Sequence, residues 1–117
     1  MSLPVGKWSV NGNGFEGILN IKSIDAKGVL SGTIFSQPIE GFWDDVSKKI
    51  TFMRIIAANK PSTLQIYTGY LFQTPNRPAS GQDTTLTLTG SFEAFAGTGA
   101  VAERILYGWM ASIEVIG

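Results

Sequence analysis

Apolar residues in this chain recur at every second position over short stretches, and clusters of turn formers separate the stretches. The alternation is clearest in FEGILNIKSI at 15–24 and in TTLTLTGSFEAF at 84–95. In the second of these, Leu86 and Leu88 share one face while Thr85, Thr87 and Thr89 share the other. A period of two marks a strand with one side buried. No stretch carries the 3.6-residue period of an amphipathic helix. Strands are therefore expected at 7–10, 15–24, 29–36, 39–46, 49–57, 64–73, 84–95 and 105–116.

The links between them are mostly of hairpin length. Asp25-Ala26-Lys27-Gly28 reads as a tight turn in which Gly28 takes positive φ. Ser47-Lys48 turns the chain again, and Pro38, which has no N–H to give a ladder, marks a break before 39–46. The longest polar loop is 74–83. Residues 96–104 form a second loop with room for one helical turn. Short consecutive links favour neighbouring antiparallel strands, and eight such strands can close on themselves and remove both edges. The expected fold is an all-β, eight-stranded, antiparallel up-and-down barrel occupying residues 1–117 as one domain. Glycines inside the strands (Gly17, Gly32, Gly41, Gly69, Gly90, Gly108) suit the sharp bends of a small barrel.

Two glycine clusters test this reading. Gly12-Asn13-Gly14-Phe15-Glu16-Gly17 fits G-x-G-x-x-G, the fingerprint of a dinucleotide-binding turn. That fingerprint requires a helix immediately after it, and 15–24 reads as a strand, so a pair of Asn-Gly turns is preferred. A near-match begins at Gly97, but too few residues follow it for a crossover helix and a second strand.

Composition narrows the chemistry. Charged residues make up 15% of the 117 residues, where about 25% is usual. Nine basic and nine acidic residues cancel, so the chain has no net attraction for a phosphate backbone, and nucleic acid is not an expected partner. No basic amphipathic stretch suggests a membrane surface, and no apolar run approaches the length of a membrane helix. Histidine and cysteine are both absent, which excludes Ser-His-Asp and Cys-His catalysis and thiolate or imidazole metal sites. No cofactor or metal is expected. Met1-Ser2-Leu3-Pro4 runs into Gly6-Lys7-Trp8 without a basic and apolar leader, from which a cytoplasmic location is expected.

Gly6-Lys7-Trp8, then a hairpin, then Ser31-Gly32-Thr33-Ile34-Phe35-Ser36, resembles the opening of avidin and streptavidin, whose third strand holds a T-G-T-Y-x-S stretch. Ile66-Tyr67-Thr68-Gly69 is similar to the T-W-S-G strand of that family, and 96–104 lies where the family has a short helical turn. A Gly-x-Trp opening is shared with lipocalins, so the resemblance extends to the wider calycin barrels. It implies a streptavidin- or lipocalin-like barrel that associates through its exterior. It does not imply biotin. The positions matching the family's Asn, Ser and Tyr are Val10, Gly14 and Ile34, and the Asp of the last strand has no match near Met110. Ser36 survives, Tyr67 replaces a Trp and Gln65 a Thr. Biotin's ureido group would be buried without partners, at a cost of a few kcal/mol per group.

The candidate ligand-binding residues are Ser36, Trp43, Arg54, Gln65, Tyr67, Glu93 and Trp109. Arg54 stands in an apolar strand and needs a partner, of which Glu93 is the obvious one and Glu40 the second. It reads either as an anchor for an anionic ligand or, preferably, as half of a structural ion pair. Asp44 and Asp45 are adjacent on a strand end, so they point apart and read as a solvated turn rather than a catalytic pair. The tyrosines and tryptophans line a pocket or fill a core, and the threonines of 84–95 form either a solvent face or a pocket wall.

The function expected is therefore non-catalytic binding of a small apolar or amphipathic molecule, through the barrel end that bears 74–83. Two other classes compete: an isomerase or cyclase working through Glu93, Tyr or Arg54, and a structural barrel with a filled interior. A homo-oligomer, dimer or tetramer, is expected because consecutive apolar pairs such as Phe42-Trp43 and Leu71-Phe72 must place one member outside.

Overall fold

Alternation does close this chain into a barrel. The computed structural model describes residues 3–56, 64–75, 83–96 and 103–116. Its strands are β1 (Gly6–Gly12), β2 (Phe15–Ile24), β3 (Val29–Ile34), β4 (Gln37–Asp44), β5 (Lys49–Arg54), β6 (Gln65–Pro75), β7 (Asp83–Ala96) and β8 (Glu103–Ile116). Each pairs antiparallel with the next, and β8 returns to β1. Four pairs make the closure, from Ser9 opposite Ser112 to Gly12 opposite Trp109, and the Asn13 N–H extends it by donating to the Gly108 carbonyl at 2.9 Å. Among the described residues no helix is long and apolar enough to cross a membrane.

The turns follow their chemistry. Asn13 and Gly14 both take left-handed backbone, with φ of 51° and 90°, as a two-residue hairpin between right-twisted strands requires. Gly12 sits opposite Phe15 across that turn, and the Asn11 Oδ1 accepts the Gly14 N–H at 2.8 Å. The dinucleotide pattern is thus a hairpin followed by a strand; the second near-match, at 97–102, lies outside the described residues. At the β2–β3 turn the Asp25 Oδ1 accepts the N–H groups of Lys27 and Val29, both at 2.9 Å, and Gly28 has φ of 87°. Asp44 and Asp45 form a solvated turn: Asp44 accepts from Val46 N and Ser47 Oγ, and Asp45 from Trp43 Nε1 and Lys48 Nζ. These bonds hold both carboxyls below their ordinary range, with Ser47 the largest influence on Asp44 and Lys48 on Asp45.

One boundary differs from expectation. The break between β3 and β4 falls at Phe35 and Ser36, not at Pro38. Both turn residues are left-handed, with φ of 49° and 65°. Pro38 lies inside β4 opposite Thr33, and its carbonyl accepts the Ile55 N–H at 3.0 Å. Proline forfeits only the bond its own nitrogen would give, so near a strand start it costs the ladder little.

Inside, Trp8, Leu19, Ile21, Leu30, Ile34, Ile50, Leu86 and Leu88 are fully buried. Because Leu86 and Leu88 face in, Thr85, Thr87 and Thr89 face out, which settles the two readings of that ladder as the outer surface.

Candidate functional site

The barrel's two ends differ in what they enclose. The β1–β2 and β3–β4 turns, the last residues of β5 and β7 and the first of β6 and β8 mark one end; the β2–β3 and β4–β5 turns, the last residues of β6 and the first of β7 mark the other. At the first end lies a cavity of about 490 Å³, lined by Gly12, Asn13, Phe15, Phe35, Arg54, Ile56, Gln65, Tyr67, Phe92, Ala94 and Tyr107. The volume falls within the roughly 300–1,000 Å³ typical of small-molecule sites. Access is expected from the opposite end, where β6 finishes and β7 begins, and that end holds a cavity of about 530 Å³ lined by Leu3, Val5, Ile24, Trp43 and Asp44 among others.

Register builds the cavity floor. Phe52, Tyr67, Phe92 and Tyr107 are successive cross-strand partners on β5, β6, β7 and β8. Their rings stack in a row: centroids are 4.7 Å apart from Phe52 to Tyr67, 4.6 Å from Tyr67 to Phe92 and 5.2 Å from Phe92 to Tyr107. Trp109 meets Phe52 and Tyr67 edge-on at 5.6 Å. Its indole N–H is shared between the carbonyls of Thr68 at 3.0 Å and Ser91 at 3.2 Å. Gly69 makes this seat, since a Cβ there would stand 2.8 Å from the Trp109 ring. Such aromatic pairs each contribute about 0.5–1.5 kcal/mol beyond their buried area.

Polar groups gather at the wall. Arg54 and Gln65 are directly opposed across β5 and β6, and Gln37 lies diagonally from Arg54 across β4. The Arg54 Nε donates to Gln37 Oε1 at 2.6 Å and its Nη1 donates to Gln65 Oε1 at 3.0 Å. The Tyr67 hydroxyl also donates to Gln65 Oε1, at 2.7 Å. The guanidinium lies over the Phe35 ring, 4.9 Å from its centroid. Phe35 reaches this position across Gly17, where a Cβ would meet the ring at 2.4 Å. Burial pushes the Tyr67 hydroxyl pKa above the ordinary 10.0, an effect that Arg54 opposes in part.

Arg54, Gln65 and Tyr67, of the residues singled out in the sequence, come together here. The other four do not line the cavity. Ser36 is exposed on the β3–β4 turn, Trp43 is at the opposite barrel end beside Asp45, and Trp109 is sealed beneath the aromatic row. Glu93 follows the buried Phe92 and opposes Ile66 and Leu106, which places it on the outer face. Glu40, exposed on β4, faces out as well. Neither acid therefore partners Arg54 inside the barrel. Phe35, Gln37 and Phe92 went unselected in the sequence, although Phe92 shares the parity of Leu86 and Leu88 and so was readable as inward.

Comparison with known proteins finds no matching family model, no matching curated protein and no matching solved structure.

Proposed function

We propose that this protein binds a small apolar or amphipathic molecule, without catalysis, in the mouth formed by Phe35, Arg54, Gln65, Tyr67, Phe92 and Tyr107. The observation that carries this is a cavity of ligand size with an aromatic floor and a hydrogen-bonded polar wall. Biotin is not the ligand: Val10, Gly14 and Ile34 supply no donors for a ureido group. What supports kinship with avidins is the barrel order, with Gln65 and Tyr67 at the mouth. For an enzymatic role, Arg54 and the tyrosines Tyr67 and Tyr107 line the cavity, whereas Glu93, the one carboxylate named for it, stands on the outer face.

The test is uptake of the neutral dye N-phenyl-1-naphthylamine, followed by fluorescence, together with native mass spectrometry for co-purified guests. Binding to the wild type, lost when Ala94→Trp narrows the mouth, is the expected result. Failure of both assays to find a guest would replace this reading with a structural barrel.

The proposal includes a homo-oligomer, dimer or tetramer, formed through the outer face of β6–β8. Between Ile66 and Thr74, β6 turns only uncharged residues outward. Phe72, Leu106 and Met110 on this face are 54%, 66% and 51% exposed. A second copy of the same face would cover them.

A further inference from the structure

Among the described residues, the groups that hold the cation in the cavity wall are neutral. Arg54 is half-buried, and among the described residues no carboxylate lies within 4.0 Å of its guanidinium. Its side-chain partners are two glutamine oxygens and a phenyl face. Among the described residues, no other that lines the cavity carries a charge. A guanidinium drawn out of water is costly unless an anion compensates it, and glutamine oxygens supply orientation but no charge. Two of its five N–H groups are committed to the glutamines, which leaves three. Three are enough to grip one carboxylate through two of them.

The backbone points the same way. Phe35 is a bulky residue in left-handed conformation, a strained state that is kept where the surroundings impose it. Here that conformation aims the ring across Gly17 and under Arg54. Phe35, Phe92 and Tyr107 together surround the cavity with aromatic surface.

We infer that the cavity selects a monoanionic, flat aromatic ligand whose carboxylate pairs with Arg54 while its rings lie among Phe35, Phe92 and Tyr107. This rests on the binding function proposed above. A single arginine matches one negative charge, and a doubly charged phosphate would leave the second uncompensated.

Calorimetric titration with naphthalene-2-carboxylate and with its neutral amide tests the charge apart from the pocket. The wild type should bind the carboxylate roughly tenfold or more tightly than the amide, the difference a charge-assisted pair commonly makes. Arg54→Gln should abolish that preference, so that carboxylate and amide bind with equal affinity. Arg54→Lys, which keeps the charge but loses the fork, should retain part of the preference. Near-ultraviolet circular dichroism establishes that each variant is folded, and Gln37→Glu, which adds a competing carboxylate beside Arg54, gives an independent route to the same loss. Equal affinities in the wild type overturn the inference while the pocket stands. Binding of neither probe overturns both.

Discussion

Tyr67 concentrates the site's chemistry in one side chain: it donates to Gln65, stacks between Phe52 and Phe92, and is fully buried. Burial favours its neutral form, so its folded pKa lies above 10.0. The stability this contributes is fully present below the unfolded pKa and is lost as pH rises through the folded one. Absorbance titration near 295 nm should show part of the phenolate signal arriving late, and Tyr67→Phe should remove that late part. A second residue-scale outcome concerns Gly69. Gly69→Ala places a methyl against Trp109 and the Thr89 carbonyl, at 2.8 and 2.9 Å, and should destabilise by about 1–3 kcal/mol in urea unfolding. Residue identity alone told less about partners than about partition. That Arg54 needs compensation is legible, but pairing it with Glu93 ignores parity: Glu93 shares the parity of Thr85, Thr87 and Thr89, the outward set.

At the scale of elements, the hairpins are where the sequence spoke most directly. Asn13-Gly14 and Asp25 to Gly28 announce their turns because left-handed backbone suits asparagine and glycine. Phe35-Ser36 gives no such notice, which is why the break was placed at Pro38; the conformation there is imposed by the packing of Phe35 rather than by local preference. Ser36→Gly should therefore stabilise the protein by about 0.5–1 kcal/mol in thermal melts, since it relieves a left-handed residue outside the cavity lining. Gly14→Ala, at φ of 90°, should cost about 1 kcal/mol by the same reasoning reversed. The position of the cavity was not legible at this scale. Its lining comes from six strands and three of the links between strands, and only the register, fixed by long-range closure, puts them at one end.

For the whole molecule, eight strands in order were readable because each alternates and each link is short, conditions that leave few topologies other than closure. Far-ultraviolet circular dichroism should accordingly lack helical minima. Light scattering after size exclusion should give a small multiple of 12.6 kDa. Phe72→Lys with Met110→Lys should return the mass to that of one chain, because a charge at the centre of a dry interface has no partner. A monodisperse monomer for the unaltered protein across micromolar concentrations would count against self-association.

The seam between β1 and β8 has a meaning for synthesis. Residues 9–12 leave the ribosome well before their partners at 109–112. Until then the nascent chain is an open sheet with two unpaired edges, the arrangement most prone to joining a neighbouring chain. No length of this barrel that stops short of residues 109–112 completes its own hydrogen bonding, so closure waits for them and depends on whatever shields those edges meanwhile. Chains released after residue 102 should accumulate as aggregates in a cell-free translation reaction, while full-length chains remain in the supernatant.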